Sequence, residues 1–536
     1  MTTDYIIIGA GSAGCVLANR LSENSKHNVL MLEAGGENDS FLVNTPAAFA
    51  AFMFLDTYNW KYNAEKVTDI RSDTPLFVPR GKGLGGSSST NAMLYIRGQA
   101  EDYDTWAGLG CVGWSYNDIL PYFKRSESNE RGSSEFHGDS GPLHVSDRPV
   151  LYPISETFIT AAKEVGYHYT DDFNGADQEG VGYYQCTIKD GQRCSAARAY
   201  LYPAMGRKNL QIKTKALVKR IVFEGSKATG VEFEQHGKLH IAKANKEVIL
   251  SAGAIGSPQI LMLSGIGDKA HLESLGINCV HHLAGVGENL QEHADACILV
   301  TSKKKDGFCA SPLGLLKMAP ELFNYFSSKT GKLANSMLEA GAFLKTSPDL
   351  DRPDIQLHML PLLYDDSGRD LRLMGQHGYS CHVCVLRPES KGTVKLQTSD
   401  YKTAPLIDFN FFSDEHGKDR QVIVAGLRVL RKILAAAAFD DYRVEEMHPG
   451  INAMSDDELF AKAKERLGIV YHPVGTCKMG TDDLAVVNPQ LQVHGVKNLR
   501  VIDASVMPTL ISGNTNAPTI ALAEKAADIM LDQSSN

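Results

Sequence analysis

The apolar positions at the start of the chain form two short runs that predict a strand–helix–strand unit. Tyr5–Ile8 is followed at once by glycines and small residues, and Asn28–Leu32 is a second run that ends at Glu33. Short apolar runs bounded by glycine indicate strands, and the segment between these two is long enough for one helix. Residues 1–35 are therefore predicted to form a βαβ unit.

Three glycines in the turn of this unit predict a dinucleotide site. Gly9 permits a tight turn after the strand, Gly11 lets a pyrophosphate approach the backbone, and Gly14 lets the helix pack close to the strand. The helix amino terminus then offers free N–H groups to the phosphates. Glu33 lies where a carboxylate accepts hydrogen bonds from a ribose diol. NAD and FAD both satisfy this pattern, whereas NADP is disfavoured by charge.

The rest of the chain predicts further strands, a second strand–turn–helix element and a closing α/β pattern. Strands are predicted at Asn209–Thr214, Ala216–Phe223, Ala228–Glu234, Glu247–Ser251, Tyr379–Leu386, Arg387–Leu396, Pro405–Phe409 and Leu499–Asp503. Helices are predicted after the small residues Ala252–Pro258, at Asp419–Ala438, and from Asn514–Pro518 to about Leu531, where Asn, Thr and Pro are good start signals.

Composition describes a globular protein of more than one domain. The chain has 536 residues, 43% of them hydrophobic, with a formal net charge of −9 and a pI of about 6.0. This length exceeds one compact core, so two domains or more are expected, built from discontinuous segments. No basic face suggests nucleic acid, and no apolar stretch is long enough to span a bilayer. Because the first strand has already begun by Tyr5, a cytoplasmic address is expected.

The ten cysteines are expected to be mostly small buried residues. Cys381 and Cys384 have the spacing of a redox motif, but they lie within a predicted strand. No other grouping of His and Cys has zinc spacing, so no metal site is predicted.

Five motifs in order along the chain resemble the glucose–methanol–choline (GMC) oxidoreductases, a flavoprotein family. Within the family, the sequence is most similar to bacterial FAD-dependent alcohol dehydrogenases of alkane degradation and to choline dehydrogenase, and the resemblance covers essentially the whole length. The motifs are Gly9–Gly14 with Glu33, Gly81–Asn91 with Tyr95 and Ile96, Gly253–Gly267, Tyr471–Gly480, and Asp503–Ser505 with Gly513–Pro518.

The resemblance implies an α/β (α+β) fold with two domains. A discontinuous Rossmann-like FAD-binding domain is expected at 1–155, 205–300 and 456–536. A substrate-binding domain, built on an antiparallel sheet with helices, is expected at 156–204 and 301–455.

The resemblance also implies the residues that hold FAD and those that act on substrate. The cofactor residues are Gly9, Gly11, Ser12, Ala13, Gly14, Glu33, Ala34, Gly81, Gly85, Gly86, Ser87, Asn91, Ala92, Val218, Ala252, Asp503, Ala504, Asn514 and Thr515. His472 matches the catalytic base, since imidazole suits proton removal near neutral pH. Asn514 matches the second donor to the alkoxide, with Asn516 as a competing candidate that fits better as the helix cap. Thr90 stands where some members have a flavin-linking histidine, so FAD is expected to be non-covalent.

The implied function is oxidation of a primary alcohol, expected to be medium-chain aliphatic, to the aldehyde. Hydride passes to flavin N5, and electrons go on to a quinone or other non-oxygen acceptor. The alternatives are a choline dehydrogenase, an oxygen-using alcohol oxidase and, less favoured, a hydroxynitrile lyase. Ser311–Phe326 is apolar at helical spacing and predicts a packed helix, a lid over an aliphatic channel, or a patch that touches a membrane. Oligomeric state is left open.

Overall fold

The computed structural model describes residues 2–67, 69–71, 74–147, 149, 151–311, 314, 316, 318–365, 368 and 370–533. The α-helices are Ser12–Glu23, Phe41–Asn44, Ala100–Gly108, Tyr116–Ser126, Pro153–Glu164, Tyr202–Ala204, Gly253–Leu263, Lys269–Ser274, Ala319–Ser328, Leu371–Met374, Lys418–Leu434, Asp456–Glu465 and Asn516–Gln533. Short 3₁₀ turns lie at Pro46–Phe54, Gly86–Ser89, Lys332–Ala334, Ala437–Phe439 and Ala504–Val506, and a π-turn lies at Ala197–Leu201.

Five parallel strands form the core of the first sheet. They are Leu210–Lys213, Val29–Leu32, Thr2–Ile8, Lys238–Leu250 and Leu499–Val501, hydrogen-bonded in this order. The amino-terminal half of Lys238–Leu250 also pairs with Lys227–Gln235, which pairs in turn with Ala216–Glu224, both antiparallel. The parallel strands are apolar where they cross the core, because helices such as Ser12–Glu23 cover the sheet there, and Ile6 and Ile249 are fully buried.

The order of these strands brings separate segments of sequence to one edge. Parallel strands end at the same edge of a sheet, and ligands of α/β folds bind there. The strands Thr2–Ile8 and Val29–Leu32 lead into Gly9 and Glu33. The strands Lys238–Leu250 and Leu499–Val501 lead into Ala252 and Asp503. Four predicted cofactor segments therefore meet at one edge, although they span most of the chain.

The second sheet is antiparallel. Its strands, in order, are Arg443–His448, Ala294–Ser302, Gly378–Val385, Ile355–Leu360, Ala340–Leu344 and Gly180–Tyr183, and Gly468–Ile469 pairs with Ala294–Ser302. The helices Pro153–Glu164 and Lys418–Leu434 contribute apolar side chains to the core against it. The remaining strands form two-stranded pairs: Tyr62–Asn63 with Phe77–Val78, Glu127–Asn129 with Leu143–Val145, Ile188–Lys189 with Gln192–Arg193, Ile266–Gly267 with His281–His282, and Thr393–Lys395 with Leu406–Asp408.

The mixed α/β fold with a parallel, Rossmann-like sheet is confirmed. The domain boundaries stay a prediction, and the strand Ala294–Ser302 crosses the expected break at 300. The predicted strand Arg387–Leu396 is wrong for most of its length. Only Thr393–Lys395 is a strand, because Pro388 lacks a ladder donor and Gly392 packs its Cα against the backbone of Asp408.

The apolar segment Ser311–Phe326 contains a helix that is buried on one side only. Pro312, Leu313, Leu315 and Lys317 lie outside the described residues. In the helix Ala319–Ser328, Tyr325 is buried, whereas Phe323 is 73% exposed and Phe326 is 63% exposed. No described helix combines the length and the apolar composition that a membrane crossing requires.

Candidate active site

A cavity of about 480 Å³ lies at the carboxyl edge of the first sheet and extends to the second sheet. Most of the predicted site residues line it: Gly9, Gly11, Ser12, Ala13, Glu33, Ala34, Gly81, Gly86, Ser87, Asn91, Ala92, Val218, Ala252, His472, Asp503, Ala504, Asn514 and Thr515. Gly14 and Gly85 do not line it. Their roles are in the packing that shapes the wall.

The first turn leaves no space for a side chain at two of its glycines. Gly9 has φ = +97°, and a Cβ there would lie 2.5 Å from the Ser251 carbonyl oxygen. A Cβ on Gly14 would lie 2.0 Å from the Gly9 carbonyl oxygen. These close contacts seat the helix Ser12–Glu23 directly on the turn, which is the packing that the sequence predicts.

The glycine- and serine-rich segment lies on this first turn. The Gly85 N–H donates to the Ala10 carbonyl at 2.7 Å. Gly86 has φ = +50°, and a Cβ there would lie 2.8 Å from the Gly11 Cα. Two glycine backbones thus meet where a side chain would fill the cavity wall, so the residues present fit a ligand that approaches the backbone closely.

Glu33 holds three backbone segments together. Its carboxylate accepts hydrogen bonds from the N–H groups of Ala10 at 2.8 Å, Gly35 at 2.8 Å and Gly83 at 3.0 Å. Burial raises the pKa of this carboxyl above its ordinary value, and the three donors oppose that rise. Glu33 therefore fixes the loop geometry of the cradle, in addition to the ribose contact expected of it.

Asp503 likewise joins separate segments by hydrogen bonds, at the other side of the sheet edge. One carboxylate oxygen accepts from the Gly253 N–H at 2.9 Å and from the Ser257 hydroxyl at 2.6 Å, and the other accepts from the Ser505 N–H at 2.8 Å. Burial raises the pKa of Asp503. The contacts link the end of the fifth parallel strand to the helix Gly253–Leu263, so the second strand–turn–helix element also faces the cavity.

Two helix amino termini point towards the same part of the cavity. The Ser12 hydroxyl donates to the Asn516 side-chain oxygen at 2.7 Å, and these residues begin the helices Ser12–Glu23 and Asn516–Gln533. Helix amino termini carry free N–H groups and partial positive charge. Together with the glycine turns and Glu33, this edge suits the anionic pyrophosphate and sugar of a dinucleotide such as FAD.

His472 also lines the cavity, next to the residue predicted to assist it. Its Nε2 atom is 3.2 Å from the Asn514 amide nitrogen, and its Nδ1 atom is 3.0 Å from Nδ1 of His293. The side-chain oxygen of Asn514 accepts from Gln356 at 3.1 Å, so the amide nitrogen faces His472 as a donor. The structure therefore brings His472 and Asn514 together, and Asn516 lies apart from them on Ser12.

The partners of His293 settle which nitrogen of His472 carries hydrogen. Nε2 of His293 lies 3.1 Å from the Leu386 carbonyl and 3.2 Å from the Ile511 carbonyl, so it must be a donor. In a neutral ring, Nδ1 of His293 is then an acceptor, and Nδ1 of His472 must donate to it. Nε2 of His472 is left with a lone pair directed at the Asn514 amide and the cavity.

Burial keeps these imidazoles neutral. It lowers the pKa of His472 well below its ordinary value, and nearby His293 and His358 lower it further. Burial also lowers the pKa of His293 to about 4 and that of His358 to about 3. A neutral His472 is the protonation state that accepts a proton.

Sequence reasoning missed His293 and Glu292. Glu292 accepts hydrogen bonds from the backbone N–H groups of His293 at 3.0 Å and His472 at 2.8 Å, and burial raises its pKa to about 8. It therefore holds the backbone beneath both rings. A single histidine just before a strand carries no local signal, and only the tertiary contact identifies it.

The cavity also has a polar wall built on the second sheet. Asp295 and His382 lie on paired strands, with 2.7 Å between a carboxylate oxygen and Nδ1. The second carboxylate oxygen of Asp295 is buried and has no hydrogen-bond partner among the described residues. Tyr364 also lines this wall. Glu339 and Phe343 have other contacts: Glu339 accepts hydrogen bonds from the Leu151 and Tyr152 backbone N–H groups, and Phe343 packs in a separate core cluster.

No cluster of three or more His, Cys, Asp or Glu side chains able to hold a metal ion occurs among the described residues. All ten cysteines are free, and Cys381 and Cys384 are buried in the strand Gly378–Val385.

Two family models and several known proteins match most of the chain. Residues 3–295 and 388–523 match the amino- and carboxyl-terminal models of the GMC oxidoreductases. The chain is 43% identical to an alcohol dehydrogenase [acceptor] of Pseudomonas putida, over 98% of this chain and 95% of that protein. It is also 43% identical to an oxygen-dependent choline dehydrogenase of Sinorhizobium fredii, over 99% and 96%. A solved FAD-dependent oxidoreductase from Chaetomium thermophilum superposes with a TM-score of 0.89 at 27% identity, covering 99% of this chain and 100% of that one.

Proposed function

The chain belongs to the GMC oxidoreductase family, and we propose that it is an FAD-dependent dehydrogenase that oxidises a primary alcohol to the aldehyde. The observation that carries the proposal is the position of His472, held between His293 and Asn514. His472 lines the same cavity as the glycine turns and Glu33. A proton acceptor and a dinucleotide cradle thus share one enclosed space.

In this reaction His472, His293 and Asn514 handle the proton and the charge on the substrate oxygen. FAD, when bound, supplies the hydride acceptor. Nε2 of His472 removes the hydroxyl proton, and Nδ1–H bonded to His293 holds the ring in place as it becomes cationic. The Asn514 amide, 3.2 Å from Nε2, donates to the oxygen as negative charge develops on it. The amino terminus of Asn516–Gln533, two residues after Asn514, would stabilise negative charge on the bound cofactor.

We propose that FAD is bound without a covalent link. Thr90 lines the cavity, and its hydroxyl bonds only weakly to the Ser87 carbonyl at 3.4 Å. A threonine cannot form the histidyl bond that some relatives use. Denaturing the purified protein and separating the polypeptide should leave all the yellow colour in the small-molecule fraction. Colour retained on the chain would refute the proposal.

We propose a medium-chain aliphatic alcohol as substrate, because much of the remaining wall is apolar. Phe49, Met53, Leu338 and Leu360 line the cavity. Each buried methylene of such a substrate contributes about 0.8 kcal/mol. An anaerobic series from ethanol to 1-octanol should show kcat/KM rising with chain length. A flat series would remove the aliphatic assignment.

Choline is the second candidate, and the polar wall favours it. The unpartnered carboxylate oxygen of Asp295 and the ring of Tyr364 could face a quaternary ammonium. The pairing of Asp295 with His382 offsets that negative charge, which is why the alcohol is placed first. Asp295→Asn distinguishes the two: it should leave 1-hexanol oxidation unchanged if the alcohol is the substrate, and should abolish choline oxidation if choline is.

We propose that electrons pass to a quinone or another non-oxygen acceptor. Peroxide production with oxygen as the sole acceptor would instead identify an oxidase. A hydroxynitrile lyase would keep its flavin oxidised when an alcohol is added without oxygen. Contact of the exposed face of Ala319–Ser328 with a membrane stays a prediction, and flotation with liposomes at low salt tests it.

A further inference from the structure

A buried guanidinium, with no carboxylate partner among the described residues, bonds to the segment that carries Asn91. Arg193 is 1% exposed and ends the short strand Gln192–Arg193. Among the described residues, Tyr325 is the only ionisable group that acts on its charge. A buried cation that no anion offsets is costly, so its position calls for a physical reason.

The hydrogen bonds of Arg193 converge on Asn91. Nη1 lies 2.6 Å from the Asn91 carbonyl oxygen and 2.8 Å from its side-chain oxygen, with the Ser88 carbonyl at 3.3 Å. Nε donates to the Val43 carbonyl at 3.0 Å. Nη2 has no hydrogen-bond partner in the part of the chain that the structure describes, and the guanidinium carbon lies 5.9 Å from the ring centre of Phe52. One guanidinium thus joins three separate segments around the cavity wall.

These contacts fix the direction of the Asn91 amide. Its side-chain oxygen accepts from Arg193 and also from the Met93 N–H at 3.1 Å. Two donors on the protein side identify that atom as the oxygen. The amide nitrogen of Asn91, which lines the cavity, is therefore left as a donor for a ligand.

Asn91 lies in a segment that contacts both the first glycine turn and the backbone just before Asn514. Before it in sequence, Gly86 packs on Gly11 at the phosphate end. After it, Ile96 packs on Gly513, where an added Cβ would lie 2.4 Å from the isoleucine. Gly513 precedes Asn514 at the His472 end. A dinucleotide that extends from the glycine turns to His472 therefore passes Asn91.

Burial lowers the pKa of Arg193 to about 9, so the group remains charged at neutral pH. A fixed positive charge in a medium of low dielectric favours whichever state of a neighbouring group is more negative. The isoalloxazine ring of FAD gains negative charge when it accepts a hydride, whereas the oxidised ring is neutral.

We propose that Arg193 is a positioning residue of the FAD site, which orients the Asn91 amide and whose unneutralised charge favours the reduced flavin. This inference rests on the proposed function, because it requires FAD in the cavity.

The test is the reduction potential of bound FAD, measured by dye equilibration without substrate. Arg193→Met should shift the equilibrium at least tenfold towards oxidised flavin, which is about 30 mV for a two-electron couple. Arg193→Lys keeps the positive charge but loses the several N–H groups that bond Asn91 and Val43. It should therefore bind FAD more weakly, with a reduction potential near that of the wild type. Arg220→Met, at an exposed position, is the control and should change neither.

A second variant covers failure of Arg193→Met to fold. Asn91→Asp places a carboxylate against the guanidinium, so it should neutralise the charge and lower the potential in the same direction. The inference is overturned if FAD-loaded Arg193→Met, or Asn91→Asp in its place, has the wild-type potential. Wild-type protein that binds no FAD would instead overturn the proposed function, so the two failures are distinguishable.

Discussion

The Nδ1 atoms of His293 and His472 lie 3.0 Å apart, and the two carbonyls behind His293 decide which of them carries the hydrogen. Because Leu386 and Ile511 each offer only an acceptor to Nε2 of His293, the hydrogen between the rings belongs to His472. The lone pair of His472 is thereby placed at Nε2, next to Asn514. In the proposed mechanism, His293 thus holds His472 in the tautomer that accepts a proton before any substrate binds.

Removing that neighbour should weaken the base without removing it. His293→Leu deletes the acceptor for Nδ1–H, so His472 is free to take the wrong tautomer, and we expect kcat/KM to fall about 100-fold. His293→Asn retains an oxygen near the position of Nδ1 and should recover much of that loss. Steady-state kinetics with bound FAD quantified by absorbance checks both variants. Equal activity of the leucine and asparagine variants would show that hydrogen bonding at Nδ1 does not matter.

The contact between Gly86 and Gly11 should not tolerate a methyl group. Gly86→Ala adds a Cβ 2.8 Å from the Gly11 Cα at a positive φ, which should cost about 1–3 kcal/mol of unfolding free energy and weaken FAD binding. Gly36→Ala is the matched control, since nothing lies within 4 Å of its added Cβ. Urea unfolding and FAD titration measure the two effects. A Gly86→Ala protein that binds FAD normally would contradict this packing.

Glu33 should matter even when no cofactor is bound. Glu33→Gln replaces one of two accepting oxygens with a donor that meets the N–H of Ala10 or of Gly35 and Gly83, so the apoprotein should lose about 1–3 kcal/mol of stability. Glu37→Gln, at an exposed position in the same loop, should be neutral. Thermal unfolding of both apoproteins decides the point. An apoprotein unaffected by Glu33→Gln would leave ribose binding as the residue's only role.

Much of the cofactor edge could be predicted from local sequence. Gly9 marks the tight turn, Gly14 the close packing of the helix and Glu33 the end of the second strand. These residues lie within one short segment, so their spacing is enough to predict how the unit folds. The helix that begins at Asn516 was likewise predictable from the Asn, Thr and Pro residues of Asn514–Pro518. The strand Lys238–Leu250 was predicted only from Glu247 onwards, because its outer half is polar and exposed and lacks an apolar run.

The remaining features depend on contacts between distant segments. His293 meets His472 across 179 residues of sequence, and Arg193 meets Asn91 across 102 residues. Neither histidine nor arginine carries a local signal for such a partner. The second role of Glu33, as an acceptor for Gly83, was hidden for the same reason, since a strand-end carboxylate predicts a ligand contact and not a loop contact.

The most direct test of the account is reduction of the bound flavin by a primary alcohol without oxygen, followed in a stopped-flow spectrometer. The wild-type flavin should bleach to the two-electron reduced form. His472→Ala should retain FAD and bleach at least about 100-fold more slowly, since the proton acceptor is gone. His416→Ala, at an exposed histidine, should match the wild type. Bleaching of the FAD-loaded His472→Ala protein at the wild-type rate would contradict the central claim that Nε2 of His472 removes the hydroxyl proton.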